Sequence, residues 1–164
     1  MARSSAWLGI FAALCAASCH AHYAWIALDA DGRSGSARDA GDRIATFSDA
    51  DRQAAVAVAA AVATSLGLRP SWTQRLGATE PTPENPFQEL ALFQGDGPNS
   101  NLMLAVGVAQ DGSLLRFWIS DLEHAQQTPL VRDLVAALKE ALARAFPGRR
   151  ITTGDGRKLR LYAG

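Results

Sequence analysis

Cysteine is nearly absent from this sequence, and its placement matters more than its number. Both residues, Cys15 and Cys19, fall within the first nineteen of 164. The chain beyond them has no internal disulfide and no thiolate metal site to hold it together. Lysine is equally scarce: Lys139 and Lys158 stand against fourteen arginines. With abundant alanine, that bias is the mark of a GC-rich bacterial genome. Histidine occurs three times, and only His124 lies inside the main body of the chain, which leaves no Ser-His-Asp set and no nucleophile-elbow sequence. A long apolar run is missing too. The N-terminal one, Ala6 to Ala17, is twelve residues, well short of the ~20 that span a bilayer as a helix. Net charge is zero, which argues against a general nucleic-acid binder.

What is present describes a globular protein. An apolar fraction of 48% and a charged fraction of 20% suffice for a core, and the length suits one domain. The charge is unevenly placed. Arg149 to Gly164 carries five bases (Arg149, Arg150, Arg157, Lys158, Arg160) against one acid, whereas Cys19 to Gly148 carries ten bases against fifteen acids. A mildly acidic body thus ends in a basic tail.

Arg3 followed by the Ala6–Ala17 run has the form of a signal segment. It ends in Ala16-Ala17-Ser18-Cys19, which resembles the lipobox of bacterial lipoproteins, where the cysteine is acylated and becomes the first residue. The resemblance implies a signal peptide over 1–18, lipid on Cys19 and membrane attachment through it. His20, rather than Asp, follows the cysteine, which in that class implies the outer membrane, facing the periplasm. The same small residues also fit an ordinary signal-peptidase cut before Cys19, leaving a soluble exported form as the alternative.

Residues 19–42 read as a lipidated N-terminus and stem: Tyr23 to Leu28 is either a first strand or an amphiphilic stem, and Asp29 to Ser36 is small and polar. A single domain is expected over 43–164. Ser48 with Asp51 forms a capping-box start for a helix over Asp49–Leu66, stopped by Gly67. A proline-rich loop follows, with room for a short strand around Trp72. Phe87–Gln94 alternates as a strand, Gly95–Asn99 is a turn, and Leu102–Val108 and Leu114–Ser120 flank Asp111-Gly112 as a hairpin. Thr128 as cap and Pro129 at the first position open a second helix with a Leu130, Leu134, Leu138, Leu142 stripe. Ile151–Thr153 and Lys158–Tyr162 are expected as a last hairpin about Gly154-Asp155-Gly156. Two one-sided helices and a sheet with a face to cover predict a two-layer α+β sandwich, an antiparallel sheet with both helices on one face, ferredoxin-like in general shape.

Candidate chemistry is thin. Ile26 to Gly32 ends in Asp29-Ala30-Asp31-Gly32, which looks like the first motif of haloacid-dehalogenase-type phosphatases, with a nucleophilic aspartate and an acid–base aspartate two residues on. That chemistry also needs a lysine for the phosphoryl charge and further carboxylates for Mg²⁺, and the two lysines lie far along the chain. A phosphoryl-transfer hydrolase using Asp29 and Asp31 is therefore the alternative, not the main expectation. Cys19, His20 and His22 form a copper- or zinc-like ligand set. Acylation removes the thiol and leaves two histidines, a metal-handling stem at most.

The expectation is a non-enzymatic envelope module needing no cofactor, whose partner is an envelope protein or anionic lipid. Its candidate contact patch comprises Arg149, Arg150, Arg157, Lys158 and Arg160 on the tail and Trp118 on the third strand. If Leu115, Phe117 and Ile119 face the helices, alternation turns Trp118 outward with Arg116.

Overall fold

The computed structural model of the chain describes residues 20–31, 45–71, 87–124 and 126–159. The signal segment expected over 1–18, Cys19, most of the polar stretch after Asp31, Trp72 with the proline-rich loop, and Arg160 lie outside the described residues.

Six strands form one antiparallel sheet: β1 (His20–Asp29), β2 (Leu68–Pro70), β3 (Phe87–Gly95), β4 (Leu102–Ala109), β5 (Leu114–Asp121) and β6 (Ile151–Leu159), in the order β2-β3-β4-β5-β1-β6. Two helices, α1 (Asp49–Ser65) and α2 (Pro129–Ala145), pack on one face and against each other. The molecule is a two-layer α+β sandwich.

Local chemistry fixes the elements. At the start of α1, the Ser48 hydroxyl accepts from Asp51 N at 3.2 Å while Asp51 Oδ2 accepts from Ser48 N at 3.0 Å, so two otherwise orphaned donors are satisfied reciprocally. At the start of α2, Thr128 Oγ1 accepts from Val131 N and Pro129 occupies the first turn. Gly112 turns the β4–β5 hairpin at φ +71°, a backbone that costs glycine nothing; its carbonyl accepts from Phe47 N at 2.9 Å and ties the hairpin to the entry of α1.

The alternation of the strands sorts the sheet into two sides. Ile26, Leu28, Leu104, Val106, Leu115, Phe117 and Ile119 point at the helices and are fully buried. They meet Val131, Leu134, Leu138 and Leu142 of α2 and Ala55, Ala59 and Ala63 of α1. The alanines recur every fourth residue, a stripe narrow enough for close approach.

Two boundaries differ from the sequence expectation. The stem expected over 19–42 is, from His20 to Asp29, an interior strand paired to β5 on one side and β6 on the other. The domain therefore includes residues 20–31. A short apolar run fits strand and stem equally well, and only pairing separates them. Likewise the expected last hairpin is one continuous strand, β6, in register with β1 from Leu28↔Ile151 to His20↔Leu159. Gly154-Asp155-Gly156 has turn composition, but β1 offers a long unpaired edge that it extends along, and Gly154 is needed there for another reason given below.

Candidate binding face

No described helix covers the other side of the sheet. Residues directed there include Tyr23, Trp25 and Ala27 on β1, Arg116 and Trp118 on β5, Gly107 on β4, Phe87 and Glu89 on β3, and Gly154 on β6. Trp25 and Trp118 are register partners across β1 and β5, and both are half-buried.

Glycine explains how two indoles fit side by side. A Cβ placed on Gly107 would lie 2.8 Å from Trp118 Cζ3, and one on Gly154 would lie 2.5 Å from Trp25 Cζ2. Each ring is thus laid down on a bare backbone in a neighbouring strand, Trp118 toward β4 and Trp25 toward β6. An interior strand glycine commonly marks such a close approach, and an aromatic over it restores the contact that the missing side chain would have made. The seats are three strand spacings apart, about 14 Å at the usual interstrand distance. Phe87 meets Trp118 edge-on, with ring centroids 4.9 Å apart and planes at 88°, the favoured quadrupolar arrangement.

Arg116 sits in the middle of these rings. Its guanidinium carbon is 4.8 Å from the Phe87 centroid, 5.3 Å from Trp25 and 5.8 Å from Trp118, within the range of cation–π attraction. Two polar atoms on this face are buried without a hydrogen-bond partner: Arg116 Nε, a donor, and Glu89 Oε1, an acceptor when ionised. Glu89 and Arg116 flank Gly107, each its register partner on one side. Burial pushes the Glu89 carboxyl above its ordinary range, since a charge is disfavoured away from water. The arrangement offers flat aromatic area with one unanswered donor and one unanswered acceptor beside it.

A second cluster closes the far end of β5. Asp121, 6% exposed, accepts from Glu123 N at 3.1 Å and His124 N at 3.2 Å, and both its oxygens lie 3.0 Å from His124 Nδ1. The Thr128 hydroxyl adds a longer contact at 3.4 Å. The Asp121–His124 hydrogen bond and the carboxylate charge raise the pKa of His124 above its ordinary value. A cleft of about 260 Å³ lies alongside, lined in part by Pro98, Asn101, Leu102, Thr128 and Leu130. Asp121 is occupied in turning β5 into α2; the oriented imidazole follows from that. His124, far from the other two histidines in the sequence, has its partner, Asp121, three positions earlier.

The remaining sequence candidates are dispersed. Trp118 points away from the helices, as alternation requires, together with Arg116. The basic residues do not gather into one patch. Arg149 stands 5.5 Å over the Phe47 ring and Arg150 Nη2 donates to Asp29 Oδ2 at 2.8 Å, both at the start of β6. Arg157 and Lys158 fall at its other end, in register with His22 and Ala21, about 20 Å away along an extended strand. Arg160 lies outside the described residues. Asp29 is held by Arg150 and also accepts from Asp31 N at 3.0 Å, so the two aspartates form a paired turn. His22 is 4% exposed and lies within the sheet, not on a solvated stem; its Nε2 is 3.7 Å from Asp155. Among the described residues no group of three or more His, Cys, Asp or Glu side chains is placed to hold a metal ion.

No protein-family model matches the chain, and no curated protein or solved structure matches it.

Proposed function

We propose that this chain is an exported protein of the bacterial cell envelope, anchored by acyl chains on Cys19, whose α+β domain is a non-enzymatic binding module. The observation that carries the binding role is the pair of glycine-seated tryptophans around Arg116 on the sheet face that no described helix covers. Tryptophan and arginine are the residues in which contact energy concentrates, and here they stand together, half-buried, on one side of the sheet. The anchor rests on the Ala6–Ala17 run and the lipobox-like Ala16–Cys19.

The two parts fit together spatially. β1 begins at the residue after Cys19, so an acylated cysteine holds the sheet by one end with no tether between lipid and fold. Arg157 and Lys158 belong to the same end, where their charge favours an anionic lipid surface. Several acyl chains make such attachment durable, because each buried methylene contributes about 0.8 kcal/mol. The site faces the periplasm from the outer membrane.

Two measurements test the two halves. Intact mass and membrane partition of wild type and Cys19→Ser, made in a bacterial host, test the anchor: loss of residues 1–18, added lipid mass and Cys19-dependent partition are expected. An unmodified mass or identical partition rejects it. A photo-crosslinking residue at Thr152 on the aromatic face, compared with one at Ala136 on the exposed side of α2, tests the face. A discrete adduct at 152 alone is expected; equal or absent labelling at both positions rejects a binding role for that surface.

A further inference from the structure

We infer that the occupant of the aromatic face is a glycan chain, its sugar rings stacked on Trp25 and Trp118. This rests on the reading of that face as the binding surface and adds the ligand's chemistry.

The posture of the rings carries the argument. A tryptophan that anchors a protein partner projects as a knob and fills a pocket. Trp25 and Trp118 instead lie against Gly154 and Gly107, whose missing side chains leave no room between ring and backbone. They present flat area and little relief. A pyranose has the complementary form: one side of its ring is a patch of C–H bonds, attracted to the electron-rich aromatic face, and its rim is hydroxyl.

The polar neighbours agree. Arg116 and Glu89 stand on the same face on either side of Gly107, so a cationic donor and a carboxyl border the rings, groups of both kinds that a sugar's hydroxyl rim can meet. Arg116 Nε and Glu89 Oε1 themselves are buried. Charge points the same way. One arginine, already engaged by three rings, and one carboxyl make a poor footprint for a nucleic acid or a strongly anionic surface. The two indole rings, both within 6 Å of the Arg116 guanidinium carbon, are no more than about 11 Å apart, a separation that a short oligosaccharide spans.

The test uses the purified mature chain and β-1,4-linked N-acetylglucosamine oligomers of two to six units, with glucose oligomers of equal length for comparison. Binding is read by calorimetry and by tryptophan fluorescence. Saturable binding that strengthens with chain length until both rings are spanned is expected. Trp25→Ala and Trp118→Ala should each weaken it about tenfold, while Trp25→Phe and Trp118→Phe, which keep a ring, retain most of it. Circular dichroism on each variant separates lost binding from lost folding. Absence of saturable binding to either series at millimolar ligand overturns the inference, as does binding that the alanine variants leave unchanged. A protein adduct at position 152 without sugar binding overturns the glycan and leaves the binding face intact. The absence of both removes the face reading as well.

Discussion

The two faces of one sheet are built on different rules. Toward the helices, β1, β4 and β5 present Ile26, Leu28, Leu104, Val106, Leu115, Phe117 and Ile119, all without solvent contact. Away from them, the same strands present Trp25, Arg116, Trp118 and Gly107, half-open and partly unsatisfied. The first face is an aliphatic core whose worth is stability. The second places its largest side chains where they bury least and keeps glycines beneath them, which costs strand propensity.

This contrast can be broken from either side. Phe117→Ala, on the core side, removes a fully buried ring and should destabilise by about 3–5 kcal/mol, read by urea denaturation. The adjacent Trp118→Ala should cost distinctly less, because its ring is partly in solvent; equal losses would mean that the outer face is a second core. Next in size is Gly154→Ala. Its Cβ meets Trp25 Cζ2 at 2.5 Å, so the indole must leave its seat, with a loss of about 1–3 kcal/mol and a changed near-ultraviolet circular dichroism. Unchanged spectra would show that the ring was never seated there. Ser48→Ala, remote from both faces, should cost about 1 kcal/mol by removing the capping box and leave binding untouched.

The smallest effect is one of pH. Asp121 raises the folded-state pKa of His124 above its unfolded value. The stability this gives is fully present below the unfolded pKa and is lost as pH rises through the folded one. Nuclear magnetic resonance should show His124 titrating above the ordinary histidine value. His124→Gln should remove that component, a loss of stability as pH rises from the ordinary histidine value through the higher folded one. A titration at or below the ordinary value would show that the 3.0 Å contact is not a bond in solution.

Much of the core side was legible in the sequence, because it obeys local rules. Thr128-Pro129 with its leucine stripe located α2, Ser48 with Asp51 located α1, and Asp111-Gly112 located the β4–β5 hairpin. Even there the contact of α1 does not follow the larger apolar residues: Val56 and Val58 are only partly buried, whereas Ala55, Ala59 and Ala63 form the contact, since close helix approach selects for small residues. The outer face was legible only in part. Alternation along β5 turned Trp118 and Arg116 outward, but Trp25 became their neighbour only through the pairing of β1 with β5, a contact more than ninety residues apart in sequence. Glycines at 107 and 154 were the available signal. Gly107 falls unmarked within a strand and Gly154 has the composition of a turn, because glycine composition does not distinguish a bend from a seat.

Crosslinking at Thr152 in a Trp118→Ala background, within the intact envelope, tests the division between the two faces most directly. The account predicts a folded, membrane-attached protein that has lost the adduct seen without the substitution. Retention of that adduct at full yield would contradict it, and the aromatic face would then be part of the fold and nothing more.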